Sequence, residues 1–192
     1  MSKLNLKSIL QNYEQVLCGK TFFYELNNKW EVNLVFHKED FCHLIGLQHV
    51  YGKDKRYLGA NGYRSIIGEK ITIDSLVKHN KKGFNYIKKR LEFFDKIYEL
   101  LTTGNIVKFY ADRVKPRTTI VADFLVQHGR KEVLVYLFMR RENGSQFSPV
   151  SFIVKSQKDT YPNQYVAGQE NKVITKFLIS SGTFPAHWGV TL

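Results

Sequence analysis

Near the start of the chain, Leu6, Ile9, Leu10, Tyr13, Val16 and Leu17 recur at helical spacing, and Gly19 follows where such a helix would stop. The period then changes. Thr21–Leu26 and Trp30–Phe36 are rich in aromatic and β-branched residues, with Asn27-Asn28-Lys29 between them, which predicts a β-hairpin. Asp40 stands where an N-cap belongs, and Phe41–Val50 reads as one short helix. Gly46 weakens that helix unless something packs close to its backbone. The segment Tyr51–Gly62 is polar, contains Gly52, Gly59 and Gly62, and reads as a loop. Tyr63–Ile67 and Ile73–Val77 read as short helical pieces, the second capped by Thr72 or Asp74. Next, Ile87, Leu91, Phe94, Ile97, Tyr98 and Leu101 form one stripe of a longer helix that Gly104 ends.

Beyond Gly104 the pattern is that of strands: Ile106–Tyr110, Thr119–Val126, Val133–Met139, Val150–Val154 and Val173–Ile179. Turn signals at Lys115-Pro116-Arg117, His128-Gly129 and Glu142-Asn143-Gly144 divide them. Successive strands with short turns imply an antiparallel meander, and no βαβ alternation is present. The expected class is therefore α+β, with an N-terminal β-hairpin and helices packed on a C-terminal antiparallel sheet. No repeat or linker marks a boundary, so residues 1–192 read as one domain: a helix over 1–20, a core over 21–180 and a loose tail over 181–192. That tail either stays loose or folds back through Trp188.

Composition adds a strong charge. Lys and Arg number 29 against 17 Asp and Glu, a formal net charge of +12, so polyanions are the natural partners. Lys81, Lys82, Lys88 and Lys89 crowd the first half of the longer helix, or flank it, where cations oppose the helix dipole. They read either as a solvated face or as a polyanion-facing surface. The longest apolar run, Val133–Met139, is strand length and far below the ~20 residues of a membrane span. Cys18 and Cys42 make no disulfide framework, and with no secretory signal over Met1–Lys7 the expected location is a cytoplasm, whose owner composition leaves open.

The chemistry is bounded mostly by exclusion. His37, His43 and His49 are spaced by six, which does not align them on one helix face, and Cys42 has no CxxC partner, so no metal site is expected. Neither GxGxxG nor GxxxxGK[ST] occurs, so no nucleotide cofactor is expected. No GxSxG elbow is present, and inward acids are too few for glycosidase or two-metal chemistry. Metal-independent RNA cleavage needs only a base for the 2′-hydroxyl proton, an acid for the leaving oxygen, and cations or donors around the phosphorane. His43, Arg90, Arg113, Lys115, Tyr136 and Ser151 supply those types. Against this, a lone His on an apolar helix is more often a core histidine, and a lone strand Ser more often a satisfied hydroxyl.

A set of ordered motifs is similar to a known family. Phe41-Cys-His-Leu-Ile-Gly-Leu47 matches an F-x-H-L-x-G-L signature. After it come Ile87-x-x-Arg90, Thr119-Ile-Val-Ala-Asp123, Tyr136-Leu137, Pro149-Val-Ser-Phe152 and Tyr165-Val-Ala-Gly-Gln169. Over roughly residues 20–180 this order resembles the phage- and mobile-element-associated branch of the Barnase–EndoU–Colicin–RelE-like (BECR) nucleases. The resemblance implies helices packed on a four-stranded antiparallel sheet, no cofactor, and a metal-independent ribonuclease acting on RNA, with tRNA one candidate. It implies a toxin or effector in conflict between phages, mobile elements and bacteria, with an antidote or defence-complex protein as partner and no membrane. Carried onto this chain, it implies His43 as acid or base, Arg90 on a phosphate, Ser151 at the site, and Thr119, Asp123, Tyr136 and Gln169 in support. Lys81, Lys82, Lys88, Lys89, Arg113, Lys115 and Arg117 would hold the nucleic acid. The rival expectation is a non-catalytic binder of nucleic acid or of a defence protein on the same scaffold.

Overall fold

In a computed structural model, residues 4–27, 29–130 and 132–181 are described. Seven α-helices and eight strands follow in the order α1 Leu6–Val16, β1 Lys20–Leu26, β2 Glu31–Val35, α2 Asp40–Ile45, α3 Gln48–Tyr51, α4 Gly59–Ile67, α5 Ile73–His79, α6 Lys81–Glu92, α7 Ile97–Thr103, β3 Asn105–Lys108, β4 Phe124–Arg130, β5 Val133–Asn143, β6 Gln146–Ser156, β7 Glu170–Lys172 and β8 Ile174–Ser181. The class is α+β, as the patterning implies. The sheet is larger than the four strands expected: all eight join in the order β7-β3-β4-β5-β6-β2-β1-β8. The N-terminal hairpin is thus part of the sheet, and β8 returns to pair with β1. The pairing between β2 and β6 is parallel and confined to Asn33–Gln146 and Leu34–Phe147. The other pairings are antiparallel.

The apolar run Val133–Met139 is a strand buried on both faces. Val135, Leu137 and Met139 point to the helices, with Tyr13, Phe41, Phe94 and Phe152. Leu134, Tyr136 and Phe138 point the other way, under Phe109, Val114 and Tyr165 from loops. Period-2 alternation within a continuous apolar run is what a doubly covered strand requires. Tyr13 joins α1 to this core: its ring packs on Phe36, Phe41 and Phe94, and its hydroxyl donates to the His37 carbonyl at 2.6 Å. Burial pushes its pKa up.

Several expected elements break where packing requires it. The helix expected over Phe41–Val50 is two. Gly46 ends α2 at φ 88°, and its amide donates back to the α2 carbonyls. The expected loop Tyr51–Gly62 is ordered around stacked Tyr51 and Tyr57 rings, and α4 already begins at Gly59. The long helix ending at Gly104 is interrupted by a 3-10 turn over Phe94–Lys96. The turn leaves Phe94 3% exposed in the core and Tyr98 40% exposed, off the expected stripe. Residues 119–123 are a loop, not a strand, and His128-Gly129 lies inside β4. Of the expected tail, Ser181 belongs to β8, while 182–192, with Trp188, lie outside the described residues.

Two glycines let α6 approach the α2–α3 corner at backbone distance. A Cβ on Gly83 would meet the His49 carbonyl oxygen at 2.2 Å, and one on Gly46 would meet Ile87 Cγ2 at 2.9 Å and Arg90 Nη1 at 3.1 Å. Gly83→Ala is therefore expected to lose about 1–3 kcal/mol, the usual range for overpacking. Gly68→Ala, whose Cβ meets nothing closer than 3.4 Å, is expected to change stability by less than about 0.5 kcal/mol. Denaturant midpoints compared at constant m-value check both.

Candidate active site

Beyond Phe147, β6 loses its partner β2, and α2 and α6 pack against it instead. The register of β5 against β6 slips between Phe138 and Met139, so Val150 has no partner across the ladder. Such a bulge re-aims neighbouring side chains. Above this part of β6 lies an open cleft of about 530 Å³. Its walls come from α2 and α3 (His43, Gln48, His49), α6 (Tyr86, Arg90), the loop Arg117–Val121, Arg140 of β5, and Val150, Ser151 and Ile153 of β6, with Tyr165 closing one side.

The three residues expected at the site, His43, Arg90 and Ser151, thus share one cleft, with Thr119 and Arg117. His43 is exposed rather than sealed in the core. Arg90 is 7% exposed, and no carboxylate pairs with it among the described residues. Its neighbours are tyrosines: the guanidinium lies over the Tyr86 ring at 5.6 Å, and Tyr165 interacts with it electrostatically. Burial pulls its pKa below the usual arginine value. A desolvated cation without a counter-ion at a cleft wall is a ready anion site.

Other expected residues have structural duties away from the cleft. The Asp123 carboxylate accepts from the Arg141 amide at 2.8 Å, and Lys108 Nζ stands 3.8 Å away, so it ties β4 to β3 and β5. Tyr136 is fully buried, and its hydroxyl donates to the Pro162 carbonyl at 3.0 Å. Gln169 accepts from the Tyr110 amide at 2.8 Å and donates to its carbonyl at 3.0 Å, which holds the chain against the exit of β3. Arg113 donates to the Gly168 carbonyl at 3.1 Å and covers the Tyr110 ring. Lys81, Lys82, Lys88, Lys89 and Lys115 are exposed and line no part of the cleft, and Lys88 stands 3.7 Å from Glu92.

The cleft also contains groups that the sequence did not single out. His49 tilts against Tyr86 with ring centroids 4.4 Å apart. Partial burial, then the Arg90 charge, then His43, hold its pKa below 6.5. The spacing of six between His43 and His49 excludes one helix face, but the left-handed break at Gly46 turns both towards the same cleft. Arg140, also unforeseen, separates the cleft from an adjoining hollow of about 490 Å³ that shares His43 and Val150. That hollow contains Glu39, Asp40 and Glu142, the last accepting from Arg140 and Ser148. No group of three or more His, Cys, Asp or Glu among the described residues is arranged to hold a metal ion, and no described helix is long and apolar enough to cross a membrane.

Comparison with known proteins gives one family. No curated protein and no solved structure matches the chain. The family model of the phage-Barnase-EndoU-ColicinE5/D-RelE like nucleases, PBECR4, matches residues 5–178. That span runs from the first helix into β8 and takes in every wall of the cleft. The chain belongs to this nuclease family, whose substrates are nucleic acids.

Proposed function

We propose that the protein is a metal-independent endoribonuclease and that the cleft beneath His43 is its active site. The observation that carries this reading is the buried Arg90 guanidinium, without a carboxylate partner among the described residues, in the same cleft as two imidazoles and a strand hydroxyl. Arg90 takes the scissile phosphate, with Arg117 and Arg140 at the rim. His49, uncharged at neutral pH, accepts the 2′-hydroxyl proton, so the 2′-oxygen attacks phosphorus. The bond from phosphorus to the 5′-oxygen breaks, and His43 protonates that leaving oxygen. Ser151 and Thr119 donate to the phosphoryl oxygens. The products are a 2′,3′-cyclic phosphate and a free 5′-hydroxyl. Basic groups outside the cleft, among them Lys82 and Lys89, hold flanking phosphates. The phage association in the family's name supports a role in conflict between phages and bacteria.

Incubation with total RNA in chelator is expected to yield 2′,3′-cyclic phosphate ends. His43→Ala and Arg90→Gln should each slow cleavage by about 100-fold, within the range for loss of an acid–base group or a charge stabiliser. Equal activity of wild type and His43→Ala would overturn the catalytic assignment, and tight binding without cleavage would favour a non-catalytic binder.

The His49 environment gives a second expectation. Its depressed pKa places the rising limb of the rate–pH profile below pH 6.5. Arg90→Gln removes one depressing charge, so the His49 titration should move up towards 6.5, read from imidazole ring-proton shifts. The same depression contributes stability that is full above pH 6.5 and is lost as pH falls from there towards the folded-state pKa.

A further inference from the structure

We infer that Tyr86 is a stacking platform for an unpaired nucleobase, so the cleft takes single-stranded rather than duplex nucleic acid. The inference rests on the proposed active site and names the class of strand that site accepts. Tyr86 is 62% exposed, although it stands on a helix whose other large apolar side chains, Phe84, Ile87 and Leu91, are buried. The fold gains little from leaving an aromatic ring in water there. One side of the ring meets His49 at 4.4 Å and the Arg90 guanidinium lies over it at 5.6 Å, which fixes its plane at the cleft wall.

The surroundings fit a nucleotide. Arg90, beside the ring, is the buried cation without a carboxylate partner among the described residues, a place for the phosphate. Lys82 and Lys89 lie about one helical turn to either side of Tyr86 and are exposed, so flanking phosphates of one strand can be neutralised along the helix. A phosphate held at Arg90 leaves its attached base within reach of the Tyr86 ring. Aromatic stacking accepts any base face but needs that base out of a helix stack. In a duplex the same face is covered by its neighbours. The platform therefore selects for strandedness, not for base identity.

The test uses single-stranded DNA pentamers, which lack the 2′-hydroxyl and so cannot be cleaved by its attack, with either a base or an abasic residue at the centre. Fluorescence anisotropy at fixed salt gives their affinities. Wild type is expected to prefer the base-bearing strand by about tenfold, in line with one base stacked on an aromatic ring. Tyr86→Ala should erase that preference even where the lost contact with Arg90 weakens both ligands, while Tyr86→Phe keeps it. A purely structural role, such as orienting Arg90 or His49, would weaken both ligands equally. Absence of a preference in wild type, or its survival in Tyr86→Ala of unchanged melting temperature, overturns the platform. A hairpin whose long paired stem contains the same five bases, bound as tightly as the single strand, overturns it also. Because DNA binding does not require His43, failure of the platform is distinguishable from failure of the ribonuclease reading, which the His43→Ala cleavage assay decides separately.

Discussion

The close approach of α6 to the corner between α2 and α3 is the constraint on which the cleft depends. Gly83 rests against the His49 carbonyl, and Gly46 leaves room for Ile87 and Arg90. Move α6 outward by the width of one methyl group and three things change together. The Arg90 guanidinium loses the wall that buries it, Tyr86 loses its contact with His49, and the two imidazoles no longer face one space. Neither glycine is there for flexibility alone. Gly46 also needs its positive φ to end α2, so conformation and clearance coincide at one residue.

That packing sets up the electrostatics. Burying a guanidinium without a carboxylate costs free energy that the folded chain alone does not recover. A net charge of +12 makes the imbalance general, but among the described residues that line the cleft only Arg90 combines it with burial. The adjoining hollow has the opposite character, with Glu39, Asp40 and Glu142 on the far side of Arg140. An anion is thus favoured more on the Arg90 side of His43 than on the side of Glu39 and Asp40. This gives the groove a polarity that a uniformly basic surface would lack.

The α+β class, the hairpin and a strand over Val133–Met139 were legible from periodicity, and the ordered motifs singled out His43, Arg90 and Ser151, which line one cleft. The motif residues did not all share one location. Asp123, Tyr136 and Gln169 keep their hydrogen-bonding capacity for backbone groups of neighbouring segments, so a motif position can mark a joint of the fold. His49 was missed for a different reason. Helical spacing assumes an unbroken helix, and the turn at Gly46 rotates His49 in a way no period of 3.6 describes. The parallel join of β2 to β6 was also invisible, because it pairs residues more than a hundred positions apart through only two register pairs.

That short join explains how one sheet can both close the core and leave room for a site. If β2 paired with β6 along its length, the edge from Val150 to Ile153 would be covered and no cleft could form there. Because β2 ends at Val35 and the chain turns into α2, the gap is filled by a helix that packs against β6. His43 sits on that helix and Ser151 on the uncovered strand, one on each side of the gap. The substitution of a helix for a strand along half of β6 is therefore what converts an eight-stranded sheet into a frame for the cleft that His43, Arg90 and Ser151 share.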